Sequence, residues 1–323
     1  MSNPPTLVFV PGAWHRASCY DKIIKILQEQ HKLKCIAITL PSTTANPEAT
    51  FKDDIDAARE AISSETTHGR NVVVLAHSYG GLVGSSAIKG FTQPKDAVTS
   101  SSVAASSKGY VIGFILIASG FSLTGLAFMD PFLGRPPPTW RINKETGFAD
   151  LVVDPRQFFY HDLPDEEAQY HVSQLTPQSL KSLFEGGEHA YAGWMDVPAA
   201  WYIGTIEDQG LPVVAQRMNV GMAREMGCKV GHRELQTSHS PFLSQPKETV
   251  EIIVEAVEDF TGKPVEKKTT TSGSRNVITV PEARRWQPLT WYRFGLPLFF
   301  GHIIGRCVLG FGWSRRLWRS WFH

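Results

Sequence analysis

The sequence predicts an α/β fold, a mostly parallel sheet flanked by helices with an inserted helical lid. Three observations predict it. Short apolar, β-rich runs recur over residues 6–118 and again over 199–235, most of them closed by Pro, Gly or Ser. Segments with helical apolar spacing separate the runs, and strands joined through helices pair in parallel with both sheet faces covered. Between Phe121 and Val197 the alternation stops, so this stretch reads as an insertion.

The elements follow in order. Thr6–Val10 is a buried strand stopped by Pro11-Gly12, and Tyr20–Gln28 is a helix carrying Ile23, Ile24 and Leu27. Lys34–Leu40 is the next strand and Phe51–Ile62 the next helix; Asp53, Asp54 and Asp56 read as a solvated face at its start, where carboxylates suit the helix dipole. Asn71–Ala76 is a strand, Leu82–Lys89 a helix, and Val111–Ala118 the most apolar strand. Within the insertion, Asp165–Leu175 and Pro177–Leu183 read as short helices. Ala199–Gly204 and His232–Leu235 are the last two strands, and Glu248–Phe260 is the closing amphipathic helix. The body is thus residues 1–120 and 198–263, the lid 121–197 and the tail 264–323.

Composition bounds the function. A chain of 323 residues with 42% hydrophobic and 20% charged residues can bury a large core. Its net charge of +1 gives no reason to expect nucleic acid as a partner. The four cysteines (Cys19, Cys35, Cys228 and Cys307) form no CxxC and read as reduced thiols, which suits a cytoplasmic setting. No zinc, calcium or Walker A motif occurs, so neither metal nor cofactor is expected. Met1–Pro5 lacks the charged and apolar regions of a signal peptide.

The chemistry centres on Val73–Gly81. The apolar strand ends in His77-Ser78-Tyr79-Gly80-Gly81, and a helix follows. A serine in such a turn is lifted clear of the sheet, and the first helical N–H groups point at the same spot. The small residues Ala76 and Gly80 flank it at i−2 and i+2, where strand and helix backbones nearly touch. A serine needs a base, an acid and an oxyanion site to act as a nucleophile. The loop Pro11-Gly12-Ala13-Trp14-His15 follows the first strand, so the N–H of Ala13 or Trp14 could pair with that of Tyr79 to receive an oxyanion. Asp208 and His239 each lie just past a later strand, giving the order Ser78, Asp208, His239. Glu207 competes with Asp208 for the acid role. His15, Phe158, Phe159, Tyr160 and Trp194, with Trp140, are candidate pocket residues or anchors of the lid.

These stretches resemble the α/β-hydrolase superfamily, and within it the small esterase-like branch of plant methyl esterases, hydroxynitrile lyases and many fungal proteins. The resemblance rests on Phe9–His15, Ala76–Gly81, Phe159–Pro164, Glu207–Pro212 and Ser238–Pro246 and spans about residues 5–260. It implies an α/β-hydrolase fold with Ser78, His239 and Asp208 as the catalytic triad. It also implies a serine hydrolase for a carboxylic ester, thioester or lactone of a small metabolite, with fungal secondary metabolism as one setting. A non-hydrolytic lyase, cyclase or ligand-binding protein of the same fold is the alternative. Two positions depart from the pattern. Pro11 stands where many members have His, and Ser240 stands where hydroxynitrile lyases have Lys, which argues against cyanohydrin cleavage.

The tail is different material. Residues 264–323 hold 10 basic and 2 acidic residues, a net of +8, which leaves 22 basic and 29 acidic residues in the first 263. Thr269–Ser274 reads as a polar linker. Trp286, Trp291, Trp313, Trp318 and Trp321 lie in the last 40 residues, and Phe294–Gly305 is shorter than the roughly 20 residues of a membrane span. Peripheral membrane contact through 286–321, packing on the body, and no role at all are all open on sequence. The oligomeric state is not specified.

Overall fold

The computed structural model describes residues 4–94, 108–266 and 278–322, with side chains up to Arg315 in the last segment. The linker Thr269–Ser274 and residues 1–3 lie outside the described residues, as do the side chains of Trp318 and Trp321.

Six parallel strands form the central sheet: β1 (Thr6–Val10), β2 (Cys35–Ala37), β3 (Val72–His77), β4 (Val111–Ile117), β8 (Ala200–Thr205) and β9 (Val230–Leu235). Their order is β2-β1-β3-β4-β8-β9. All six lie where the sequence predicts strands, five of them as apolar runs and β9 as the extension of His232–Leu235 back to Val230. β1, β3 and most of β4 are buried at every position, as strands covered on both faces must be. Around them lie α1 (Asp21–His31), α2 (Phe51–Thr66) and α3 (Gly80–Ala87). The chain leaves β1 toward β2 on one side and returns to β3 on the other. That reversal makes the carboxyl ends of β1 and β3 a topological switch point, the place where such sheets hold ligands.

The insertion between β4 and β8 differs from the helical lid that the sequence predicts. It contains a three-stranded antiparallel sheet of β5 (Trp140–Asn143), β6 (Phe148–Leu151) and β7 (Gln178–Ser179). Three short helices accompany it: α4 (Pro155–Phe159), α5 (Asp165–Ser173) and α6 (Leu180–Phe184). The strands escape a sequence reading because Trp-Arg-Ile-Asn and Phe-Ala-Asp-Leu are too short and mixed for a period to emerge. Trp140 seals this small sheet to the body, with its ring 6.2 Å from Trp14 and 6.0 Å from Phe184.

The rest of the body comprises α7 (Val213–Glu225), α8 (Pro241–Ser244) and α9 (Pro246–Thr261). In the tail, α10 (Pro288–Thr290) and a π-helical turn (Trp291–Gly295) lead into α11 (Leu296–Phe322). The tail packs on the body. Thr279 pairs with Glu234 through two 2.9 Å backbone bonds and covers the open edge of β9. Beneath it, Arg217 donates through Nε and Nη2 to both oxygens of the buried Glu234, and through Nη1 to the Arg293 carbonyl. The Phe294 ring covers the same guanidinium at 4.4 Å.

Candidate active site

Ser78 occupies the turn between β3 and α3 with φ +51°, in the left-handed region that side chains other than Gly rarely adopt. Its neighbours hold it there. The Ser78 N–H donates to the Ile117 carbonyl, and Ser119 Oγ donates to the Ser78 carbonyl at 2.6 Å. Ser119 is held in turn by the Tyr202 hydroxyl, which accepts from its N–H and donates to its carbonyl. Glycines permit the approach. A Cβ on Gly80 would stand 2.4 Å from the Pro11 carbonyl oxygen, and one on Gly81 2.0 Å from Ser119 Oγ. Ala76 fits two residues before Ser78 because Gly84 faces it without a side chain.

The loop after β1 lies against this turn: a Cβ on Gly12 would sit 3.0 Å from that of Ser78. Within the loop, the Ala13–Trp14 peptide is used at both ends. Its carbonyl accepts from His15 Nδ1 at 2.7 Å, and the Trp14 N–H is turned to Gln178 Oε1 at 3.4 Å. The N–H groups of Ala13 and Tyr79, by contrast, make no hydrogen bond among the described residues. Of the two donors that the sequence leaves open in this loop, Ala13 is therefore free and Trp14 is engaged.

His239 follows β9 and is buried. Its Nδ1 is 2.7 Å from Asp208 Oδ2, which also accepts from Thr205 Oγ1 and Gln216 Nε2. Asp208 Oδ1 accepts the N–H groups of Gly210 and Leu211, each at 2.7 Å. Burial alone would raise the Asp208 carboxyl; the charge and hydrogen bond of His239, then these further donors, outweigh it and hold the group below its ordinary value. Glu207 is exposed and accepts from Gln236 Nε2, so it is Asp208 that meets the imidazole. An Nδ1–H donated to Asp208 leaves His239 Nε2 as the basic nitrogen.

The insertion clamps the histidine loop. Asp162 Oδ2 accepts the Ser238 N–H, and Ser238 Oγ donates to the Phe159 carbonyl. The Phe158 ring stacks over His239 at 6.3 Å and 25°, and that of Phe159 lies 5.8 Å away. These two predicted pocket residues therefore cover the histidine. Three others do different work. His15 is buried: with Nδ1 donating to the Ala13 carbonyl, its Nε2 accepts from the Tyr160 hydroxyl at 2.8 Å. Burial lowers its pKa to about 4, and it stays neutral. His15 and Tyr160 border a cavity of about 290 Å³ whose lining includes Lys22, Glu167 and His171 and does not include Ser78. Trp194 is an anchor, with Nε1 on the Ser122 carbonyl and its ring against Phe121.

Sequence reasoning missed several supporting residues. His77 is fully buried, and its Nε2 donates to the His239 carbonyl at 3.0 Å. Gln216 ties Asp208, Thr205 and Leu211 together. Asp54 is not on a solvated face. It is buried and accepts from the Ser42 N–H, Ser42 Oγ and the Tyr79 hydroxyl. Burial pushes its carboxyl up to about 6, against the pull of those three donors. The signal was there: Asp54 is three residues after Phe51 and four before Ala58, on the apolar stripe of α2.

A family model described as "Alpha/beta hydrolase family" matches residues 7–252. The chain belongs to the alpha/beta hydrolase family. The alpha/beta hydrolase nvfD of Aspergillus novofumigatus is 28% identical over 272 residues, 81% of this chain and 98% of that protein. Two solved structures share the hydrolase fold. A pyrethroid hydrolase from Sphingobium faniae superposes with a TM-score of 0.59 at 18% identity, over 80% of this chain and 99% of its own. Polyneuridine aldehyde esterase does so with a TM-score of 0.59 at 20% identity, over 78% of this chain and 99% of its own. As an alpha/beta hydrolase, the chain is a hydrolase by family.

Proposed function

We propose that this alpha/beta hydrolase is a serine hydrolase that cleaves a carboxylic ester of a small, largely apolar metabolite. The observation that carries the reading is the buried His239–Asp208 pair, tied through the His239 carbonyl to His77 next to a Ser78 held at positive φ, with the Ala13 and Tyr79 N–H groups unengaged among the described residues. Ser78 Oγ attacks the acyl carbon and passes its proton to His239 Nε2. Asp208 stays ionised, fixes the tautomer and stabilises the imidazolium. The oxyanion accepts from the Ala13 and Tyr79 N–H groups. The alcohol leaves with the proton from His239. Water, activated by the same nitrogen, then releases the acid from Ser78. No step calls for a metal or cofactor. The stacked Phe158 and Phe159 favour an apolar group next to the scissile bond.

A panel of aryl and methyl esters with graded acyl chains tests this reading, run in ¹⁸O-water on wild type and Ser78→Ala. Hydrolysis with one ¹⁸O in the released acid, lost in the variant, is the expected result. Turnover that survives Ser78→Ala would overturn it.

A further inference from the structure

We infer that α11 is a membrane-docking device, lying in the plane of an anionic lipid surface with its large apolar side chains inserted while its glycine face stays bound to α7. The inference is independent of the reaction proposed for Ser78.

The helix is amphipathic in reverse. A surface helix of a soluble protein turns its large apolar residues inward. Here the inward stripe is Gly301 and Gly305 with Leu298, and the contact is close because neither glycine has a side chain. A Cβ on Gly301 would stand 2.1 Å from the Met218 carbonyl oxygen, and one on Gly305 2.9 Å from that of Met222. Gly221 of α7 reciprocates, at 2.2 Å from the Leu298 carbonyl. Small residues spaced four apart are the means by which helices meet closely in lipid, where apolar side chains need no burial against protein. Glu225 fastens the pair, accepting from His302 at 2.9 Å and Arg306 at 2.7 Å.

Most of the large apolar side chains face out. Leu296, Phe299, Phe300, Ile303, Ile304 and Phe311 share one broad face at i, i+3 and i+4 spacing, and Phe299 and Phe311 are 56% and 69% exposed. Such a continuous apolar face on a water-soluble surface marks an interaction site. Chemistry identifies the occupant. Trp286, Trp291, Tyr292 and Trp313 are exposed at either end, the positions aromatic residues take at a headgroup boundary. After Glu282 the sequence holds no acidic residue, but it holds Arg284, Arg285, Arg293, Arg306, Arg315, Arg316 and Arg319. An apolar face rimmed by tryptophan and arginine fits anionic headgroups over acyl chains. By length and composition, Pro288–Arg315 could also cross a bilayer. Spanning would tear the glycine face from α7, bare the Arg217–Glu234 pair and strand Glu225, so the docked geometry favours lying in the plane.

Flotation of the full chain with phosphatidylcholine vesicles, with and without 30% phosphatidylserine, tests this. Wild type is expected to float with the anionic vesicles, less so in high salt. The outward triple variant F299S/F300S/I303S is expected to lose at least tenfold in partitioning, with the melting temperature and the reactivity of Ser78 unchanged. R285Q/R315Q is expected to lose about fivefold per arginine on anionic vesicles. Three results would overturn the inference. One is wild type that stays unbound at low salt. Another is a dimer that the triple variant dissociates without any vesicle binding, which would make the face a contact between copies. The third is membrane association that resists alkaline carbonate, which would mean a spanning helix.

Discussion

Two regions of this molecule use glycine for close approach and reach opposite ends. At the elbow, Gly12, Gly80 and Gly81 let a strand, a helix and a loop meet, and what converges is polar: Ser78, the Tyr79 N–H and the Ala13 N–H. The Ser78 carbonyl and N–H are hydrogen-bonded there, and the Tyr79 and Ala13 N–H groups are left unengaged among the described residues. At α11, Gly221, Gly301 and Gly305 let two helices meet, and what results is divergence, with the bulky side chains driven outward. Contact alone does not tell function. The side opposite the contact does, whether it is a pocket of donors or an apolar sheet facing out.

Breaking the elbow gives the largest effects. Ser78→Ala and His239→Ala are each expected to lower ester turnover by roughly 10⁴- to 10⁶-fold with folding intact, measured as kcat alongside the melting temperature. Asp208→Asn keeps the shape of the side chain but turns an amide toward groups that all donate, and it allows the wrong tautomer of His239. A fall in kcat of about 10³- to 10⁴-fold is expected. Gly80→Ala drives a Cβ into the Pro11 carbonyl. Displacement of the loop is expected to cost both labelling of Ser78 and several degrees of melting temperature, whereas Gly90→Ala, with open space around it but a φ of +81°, should cost stability alone.

The tail sharpens the contrast. Gly301→Leu cannot be accommodated against Met218 and should detach α11, lowering the melting temperature as the Arg217–Glu234 pair is exposed. Ser78 chemistry should change little. Truncation after residue 263 would remove that structural cover as well as the exposed face, so substitutions on the outward face are the cleaner probe of its role.

The smallest effect concerns Asp54. An ordinary aspartate titrates near ~4, and in the folded chain burial moves this one to about 6. The folded state therefore holds the proton more tightly than the unfolded one. The stability this group contributes is complete below about pH 4 and is lost as the pH rises through about 6. Asp208, held low, acts in the other direction: its contribution is present above the ordinary carboxylate range and is lost as the pH falls through its own lowered value. Asp54→Asn should flatten the melting temperature between pH 4 and 6, as read by calorimetry.

The same contrast explains what could be read from the chain. Five strands of the large sheet were legible as apolar runs, whereas β9, with Gly231, His232, Arg233 and Glu234, was legible only over His232–Leu235. Ser78, Asp208 and His239 were legible because each follows such a strand, and only the geometry at Asp208 separates it from Glu207. The insertion's sheet was not legible, since four-residue strands with Arg, Asn and Asp in them carry no period. His15 and Trp194 stayed open between pocket and anchor because aromatic type says nothing of direction. One is turned to Ala13 and Tyr160, the other to Ser122. Packing of the tail on the body stayed one of three open readings because the stripe that docks is glycine, which carries no apolar signal.

The central claim is an activated Ser78, and reaction with a small fluorophosphonate probes it most directly, read by intact mass and peptide mapping on wild type, Ser78→Ala and His239→Ala. The account predicts one adduct on wild type, mapped to the Val72–Lys89 segment, with none on Ser78→Ala and a rate lowered by several orders of magnitude on His239→Ala. A folded wild-type protein that takes no adduct, or one labelled equally well without Ser78, would contradict it.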